Sequence, residues 1–182
     1  MFIDRSAGGA LKKWLLKHSN ELPNERGDAL LSPWRTLILG DLSPNDSVLD
    51  KARELLVQNT DQAVVELRAE AWPKLWNISQ ADWRGFALNA LNSGLAYGPM
   101  TASFHPKSHR GRALAELTDQ LLAPLSGATF LSNSEPMKFL AGENGDRSGS
   151  AGSNPVSRHT FDALLIAHDS SRLVIVFIVD ED

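Results

Sequence analysis

The chain has 182 residues, the length of one domain, so residues 1–182 are read as a single globular unit. Apolar residues at 42% against 22% charged supply enough core material to exclude wholesale disorder, and the absence of cysteine excludes disulfides, thiolate metal sites and cysteine nucleophiles. With 18 basic and 22 acidic residues the net charge is -4, which repels phosphate backbones and argues against general nucleic-acid binding.

No apolar run reaches the roughly 18 residues of a membrane span, so no membrane partner is expected. The opening MFIDRSAGGALKKWLLKH carries Asp4 near its start, and Lys12 and Lys13 interrupt its apolar stretch. That is unlike a secretory leader, and the expected compartment is the cytoplasm. Ala10, Leu11, Trp14 and Leu15, extended by His18, share one face of an expected helix over 10–18. Residues 34–39 (WRTLIL) fit either a short strand or a helical turn with Ser32 as cap and Pro33 first. A helix is expected over 46–58, where Ser47 and Asp50 have capping-box spacing and Val48, Ala52, Leu55 and Leu56 form the buried stripe. In 62–72, Val65, Leu67, Ala69 and Ala71 alternate with Glu66, Arg68 and Glu70. That period of two predicts a half-buried strand, although alanine and glutamate favour helix.

Pro73 closes that element. Ser79 and Asp82 repeat the capping spacing ahead of a helix over 80–93 with Trp83, Phe86, Ala87, Ala90 and Leu91 on one face, and Gly94 suits its C-cap. A short strand is expected at 100–104, a helix at 111–123 carrying Leu114, Leu117, Leu121 and Leu122, and a strand at 128–131. Residues 141–155 (AGENGDRSGSAGSNP) lack apolar periodicity and read as a mobile surface loop. Residues 161–167 and 173–179, joined by HDSSR at 168–172, predict an antiparallel hairpin. Both faces of its second strand are apolar, which places it centrally with cover on each side, or with one face meeting a partner. The elements together predict an α+β fold: an antiparallel sheet that includes the C-terminal hairpin, with three to four amphipathic helices packed mainly on one face.

The candidate chemistry is sparse. His105, Lys107, His109, Arg110 and Arg112 form a basic segment just ahead of the third of these well-marked helices. Cations there would complete an anion site with the helix amides, or simply pair with acidic neighbours. His105 and His109 are four apart, but Pro106 disfavours helix between them, so exposed histidines are expected rather than metal ligands. His159 and Asp162 open the hairpin as a potential base and orienter, against a plain strand-start histidine and a surface aspartate or an aspartate closing the sheet edge. On an extended backbone their odd separation points them to opposite faces. A phosphate loop and a nucleophile elbow are both absent from the sequence, and no cofactor or metal is expected.

Trp14 and Trp83 fall on core stripes, whereas Trp72 and Trp76, flanking Pro73, are the tryptophans most free to face outward and contact a partner. The chain ends Asp180, Glu181, Asp182, either guarding the apolar strand against aggregation or meeting a basic partner. Two functional readings follow. The favoured one is a non-catalytic cytoplasmic module that binds another, basic protein, in the manner of an inhibitor or immunity protein, through Trp72, Trp76, Asp180, Glu181 and Asp182. The other is a small hydrolase or phosphate-ester enzyme using His105, His109, Arg110, His159 and Asp162. It requires the basic segment and the hairpin start to meet in one pocket.

Overall fold

The computed structural model describes residues 2–4, 35–61, 65–68, 72, 75–93, 109–134, 140–141, 147–148, 154–159 and 161–180. In chain order the elements are β1 (Phe2–Asp4), β2 (Arg35–Asp41), α1 (Val48–Asn59), β3 (Trp76–Asn77), α2 (Gln80–Ser93), α3 (His109–Leu122), β4 (Thr129–Ser132), β5 (Leu140–Ala141), β6 (Arg147–Ser148), β7 (Phe161–His168) and β8 (Arg172–Asp180). The fold is α+β. Six strands form one sheet in the order β1-β2-β8-β7-β4-β3. Every neighbouring pair is antiparallel except β1 with β2. β5 and β6 pair separately as a two-stranded ribbon inside the glycine- and serine-rich stretch.

The C-terminal hairpin is the spine of the sheet. β8 lies between β2 and β7 and is buried along its length from Leu173 to Val179. Alternate residues go to opposite cores, as its two-sided apolar pattern demands. Leu173, Ile175, Phe177 and Val179 join one cluster, while Val174 and Val176 join the other. From Arg35 on, the 34–39 segment resolves as strand: β2 pairs with β8 from Arg35 opposite Ile178 to Asp41 opposite Arg172.

Two of the three described helices cover one face of the sheet. α2 brings Trp83, Ala87 and Leu91, and α3 brings Leu114, Leu117 and Leu121, onto Leu37, Leu39, Leu165, Val174 and Val176. The capping expected at Ser79 is present, with the Asp82 amide donating to Ser79 Oγ at 3.0 Å and that hydroxyl donating to Asp82 Oδ2 at 2.6 Å. Arg84 forks onto the Asp119 carboxylate at 2.9 and 3.2 Å and ties the two helices at the surface.

The opposite face is covered by α1 and by irregular chain. Ser47 caps α1 by accepting from the Asp50 amide. Ala52, Leu55 and Leu56 then pack on Ile38, Ile166 and Ile175, with Val65, Leu75 and Val156 filling the remainder. Gly40 allows this approach, because a Cβ there would stand 2.7 Å from Leu55 Cδ1. The strand expected over 62–72 does not form in its described part. The Val65 amide closes a helical turn onto the Asp61 carbonyl, Glu66 adopts φ 46, and only an isolated bridge joins Leu67 to Ser157. A left-handed residue reverses the chain and ends any extended run, so the alternating pattern there reflects local burial without a ladder. The expected helix at 10–18, the expected strand at 100–104 and residues 69–71 lie outside the described residues.

Candidate functional site

The start of β7 holds a buried polar centre. Asp162 stands opposite Val179 in the β7–β8 register, so it takes the α1 side of the sheet, as do Leu164 and Ile166 two and four residues on. Its surroundings are buried, and its carboxylate is satisfied from inside the protein. Oδ2 accepts from the Val156 amide at 2.9 Å, the Ser157 amide at 2.6 Å and the Ser157 hydroxyl at 2.7 Å. Oδ1 accepts from Asn133 Nδ2 at 2.6 Å.

Asn133 is held just as firmly. Its Oδ1 accepts from the Leu164 amide at 2.8 Å, which sets the amide orientation so that Nδ2 faces Asp162. The Asn133 amide donates to the Leu164 carbonyl at 3.1 Å, extending β4's pairing with β7 by one residue beyond the named ladder. Burial pushes the Asp162 carboxyl above its ordinary value, opposed by donation from Ser157, Val156 and Asn133. Asp162 thereby ties together β7, the end of β4 and residues 156–157. Ser157, which supplies two of its donors, is fully buried.

His159 and Asp162 are both brought into the interior, at 8% and 9% exposure. The surface aspartate expected here is corrected: one extended segment does not carry both residues, because β7 begins at Phe161 and 156–159 turns before it. The His159 amide donates to Ser157 Oγ at 3.3 Å, so Ser157 relays between histidine backbone and carboxylate. His109 and Arg110 stand in the first turn of α3, which starts two residues earlier than expected, rather than in a loop ahead of it. His105 and Lys107 lie outside the described residues. Among the described residues, no three His, Asp or Glu side chains converge to hold a metal.

The two outward tryptophans separate. Trp72 is half-buried against the α1-side cluster. Trp76 sits in edge strand β3 opposite Ser132, which is itself opposite Leu165 of the α2/α3-side cluster. They therefore belong to opposite faces of the sheet. Asp180 ends β8 opposite Phe161, and Glu181 and Asp182 lie outside the described residues.

Sequence reasoning missed Ser157, Asn133 and Val156 as partners of Asp162. An asparagine at a strand end, and a serine in a Gly/Ser-rich stretch, look like ordinary turn residues. It also missed the outer face of α1, where Val57, 45% exposed, is the exposed large apolar side chain among the described residues. Asp50, Arg53, Glu54, Val57 and Gln58 line an open depression of about 360 Å³ there. Lys51 and Gln58 donate to Glu54 and hold its carboxyl below the ordinary value. Among the described residues no helix is long and apolar enough to cross a membrane. Comparison of the chain with protein-family models, curated proteins and solved structures found no match.

Proposed function

We propose that this protein is a non-catalytic binding module that masks a basic protein partner, in the manner of an inhibitor or immunity protein. The observation that carries the reading is the state of Asp162. A general base or orienter must present its carboxylate to a substrate or a substrate-facing histidine, and this one spends its oxygens on Asn133, Val156 and Ser157. With Ser157 buried beside it, the hairpin start is built as a structural joint.

The chemistry left for outside contact suits a basic partner. Net charge is -4 and the sequence closes on Asp180, Glu181 and Asp182. Acidic charge of this kind accelerates encounter with a cationic surface and sets register, with a strength that falls as salt rises. Val57, in the depression lined by Asp50, Arg53, Glu54 and Gln58, offers one apolar contact inside a rim of mixed charge, the usual composition of a modest interface.

The test is retention of partners on the tagged full chain, identified by mass spectrometry and washed at rising salt. A stoichiometric basic protein is expected, released by salt and lost from a D180K/E181K/D182K variant. Hydrolysis of ester or phosphate-ester substrates by the purified chain, abolished in H159A, would overturn the reading.

A further inference from the structure

We propose that residues 154–159 form a hydrogen-bonded strap, latched by Asp162, that swings off the sheet together with residues 65–68 while the sheet stays folded. The attachment of the strap is almost wholly polar. At the sheet, Asp162 holds the Val156 and Ser157 amides and the Ser157 hydroxyl, and the Asn154 amide donates to the Asn133 carbonyl at 2.8 Å. On its other side the strap holds 65–68. The Arg158 amide donates to the Glu66 carbonyl at 2.9 Å, the Arg68 amide donates to the Val156 carbonyl at 3.1 Å, and Arg68 Nε donates to the Ser157 carbonyl at 2.8 Å.

These bonds form a chain of dependence. Residues 66–68 are held to the strap, with Val65 also tied to the Asp61 carbonyl and, like Leu67, packed in the apolar cluster; the strap is held to Asp162 and Asn133, and those two are held in the ladder of β7 and β4. Of the strap's side chains only Val156 enters the apolar cluster, where it meets the region of Val65. A segment that places one side chain in the apolar core and is otherwise held by a few directional hydrogen bonds opens as a unit when those bonds break together. Glu66 adds a reason for joint release. Its φ of 46 is a conformation that a non-glycine residue holds only while its surroundings enforce it, and the Arg158 amide on its carbonyl is one such restraint. Opening would uncover Val156 and Val65, both fully buried in the closed form, in the cluster that half-buried Trp72 packs against. The device stands independently of the partner proposed above.

Native-state hydrogen exchange on the full chain tests it. The Val156, Ser157, Arg158 and Arg68 amides are expected to exchange through one shared opening that low urea hardly affects, whereas Ile166 and Val176 exchange through global unfolding with its full urea dependence. The core variant L117A destabilises the closed and strap-open forms alike. It should accelerate Ile166 and Val176 about a hundredfold and leave the four strap amides unchanged. D162A destabilises only the closed form and should accelerate the strap amides about a hundredfold; S157A, which removes the hydroxyl alone, should do so about tenfold. Strap amides that share the urea dependence of Val176, or that speed up in L117A by the same factor, would overturn the separate opening. Unchanged strap exchange in both D162A and S157A would overturn the latch. The wild-type urea series decides the first point even where L117A fails to fold.

Discussion

On the α2/α3 side of the sheet, Trp83, Leu91, Leu114, Leu117 and Leu121 lie against Leu37, Leu165 and Val176, and two full helices supply the cover. On the α1 side one helix shares the task with Val65, Leu75 and Val156 from irregular chain, and that chain is pinned by Asp162 and Asn133. The first cover is held by apolar area, which is non-directional and tolerates small shifts. The second depends on a few directional bonds whose loss leaves buried donors unpaired. Regular cover therefore spreads its stability over many contacts, whereas irregular cover concentrates it in a joint.

The largest single effect is expected on the helical side. Leu117 is fully buried between α3 and the sheet, and L117A removes its contacts while the surrounding helices relax only in part. A loss of about 3 kcal/mol of global stability is expected from urea unfolding. A loss below about 1 kcal/mol would mean that α3 is not packed on the sheet as described.

The joint on the other side should respond less in magnitude and differently with pH. D162N keeps one acceptor oxygen, which serves best where Val156 and Ser157 donate, so the amide nitrogen then faces Asn133 Nδ2 and one hydrogen bond is lost. About 2 kcal/mol of destabilisation is expected from urea unfolding. Because the native carboxyl of Asp162 is raised, its contribution is full below the unfolded value of about 3.8 and declines as pH climbs through the native value. The gap between wild type and D162N should therefore narrow from pH 3 to pH 7. A gap that widens instead would show that the donors of Ser157, Val156 and Asn133 outweigh burial.

The two sides also differ in how far they could be read from the chain. α2 ends where its stripe and its Ser79 cap place it, at Gln80–Ser93. The leucines mark α3, but it starts two residues ahead of its apolar stripe, where His109 and Arg110 lend no favourable charge to a first turn. The hairpin was legible because β8 is apolar on both faces and the HDSSR stretch breaks it from β7. The joint was not. Periodicity reports regular burial, and a left-handed Glu66 or an aspartate accepting from residues five and six positions earlier leaves no period to detect. Asp162 is conspicuous for its chemistry, whereas its neighbours are set by tertiary packing alone. The acidic C-terminus and the two tryptophans were legible only as residue types, since nothing local sets which face they take.

Asp169 offers the mildest and cleanest contrast with Asp162, because it is an aspartate with as many donors in an exposed turn. Its Oδ1 accepts from the Ser171 amide at 2.8 Å, the Arg172 amide at 2.8 Å and the Ser171 hydroxyl at 3.1 Å, and its Oδ2 accepts from the Ser126 amide at 2.9 Å. Those bonds, the Ser171 and Ser126 amides foremost, lower its carboxyl to about 2. Solvent screens the site, so D169A should cost only about 1 kcal/mol at pH 6. A lowered carboxyl contributes fully above the unfolded value of about 3.8 and loses its contribution as pH falls toward the native one. Urea unfolding at pH 6 and near pH 2 should thus show the D169A deficit shrinking in acid, the reverse of the trend with pH expected for D162N. Two aspartates with similar donor sets would then move in opposite directions, and burial would be the property that separates them. Parallel trends in the two variants would break that explanation.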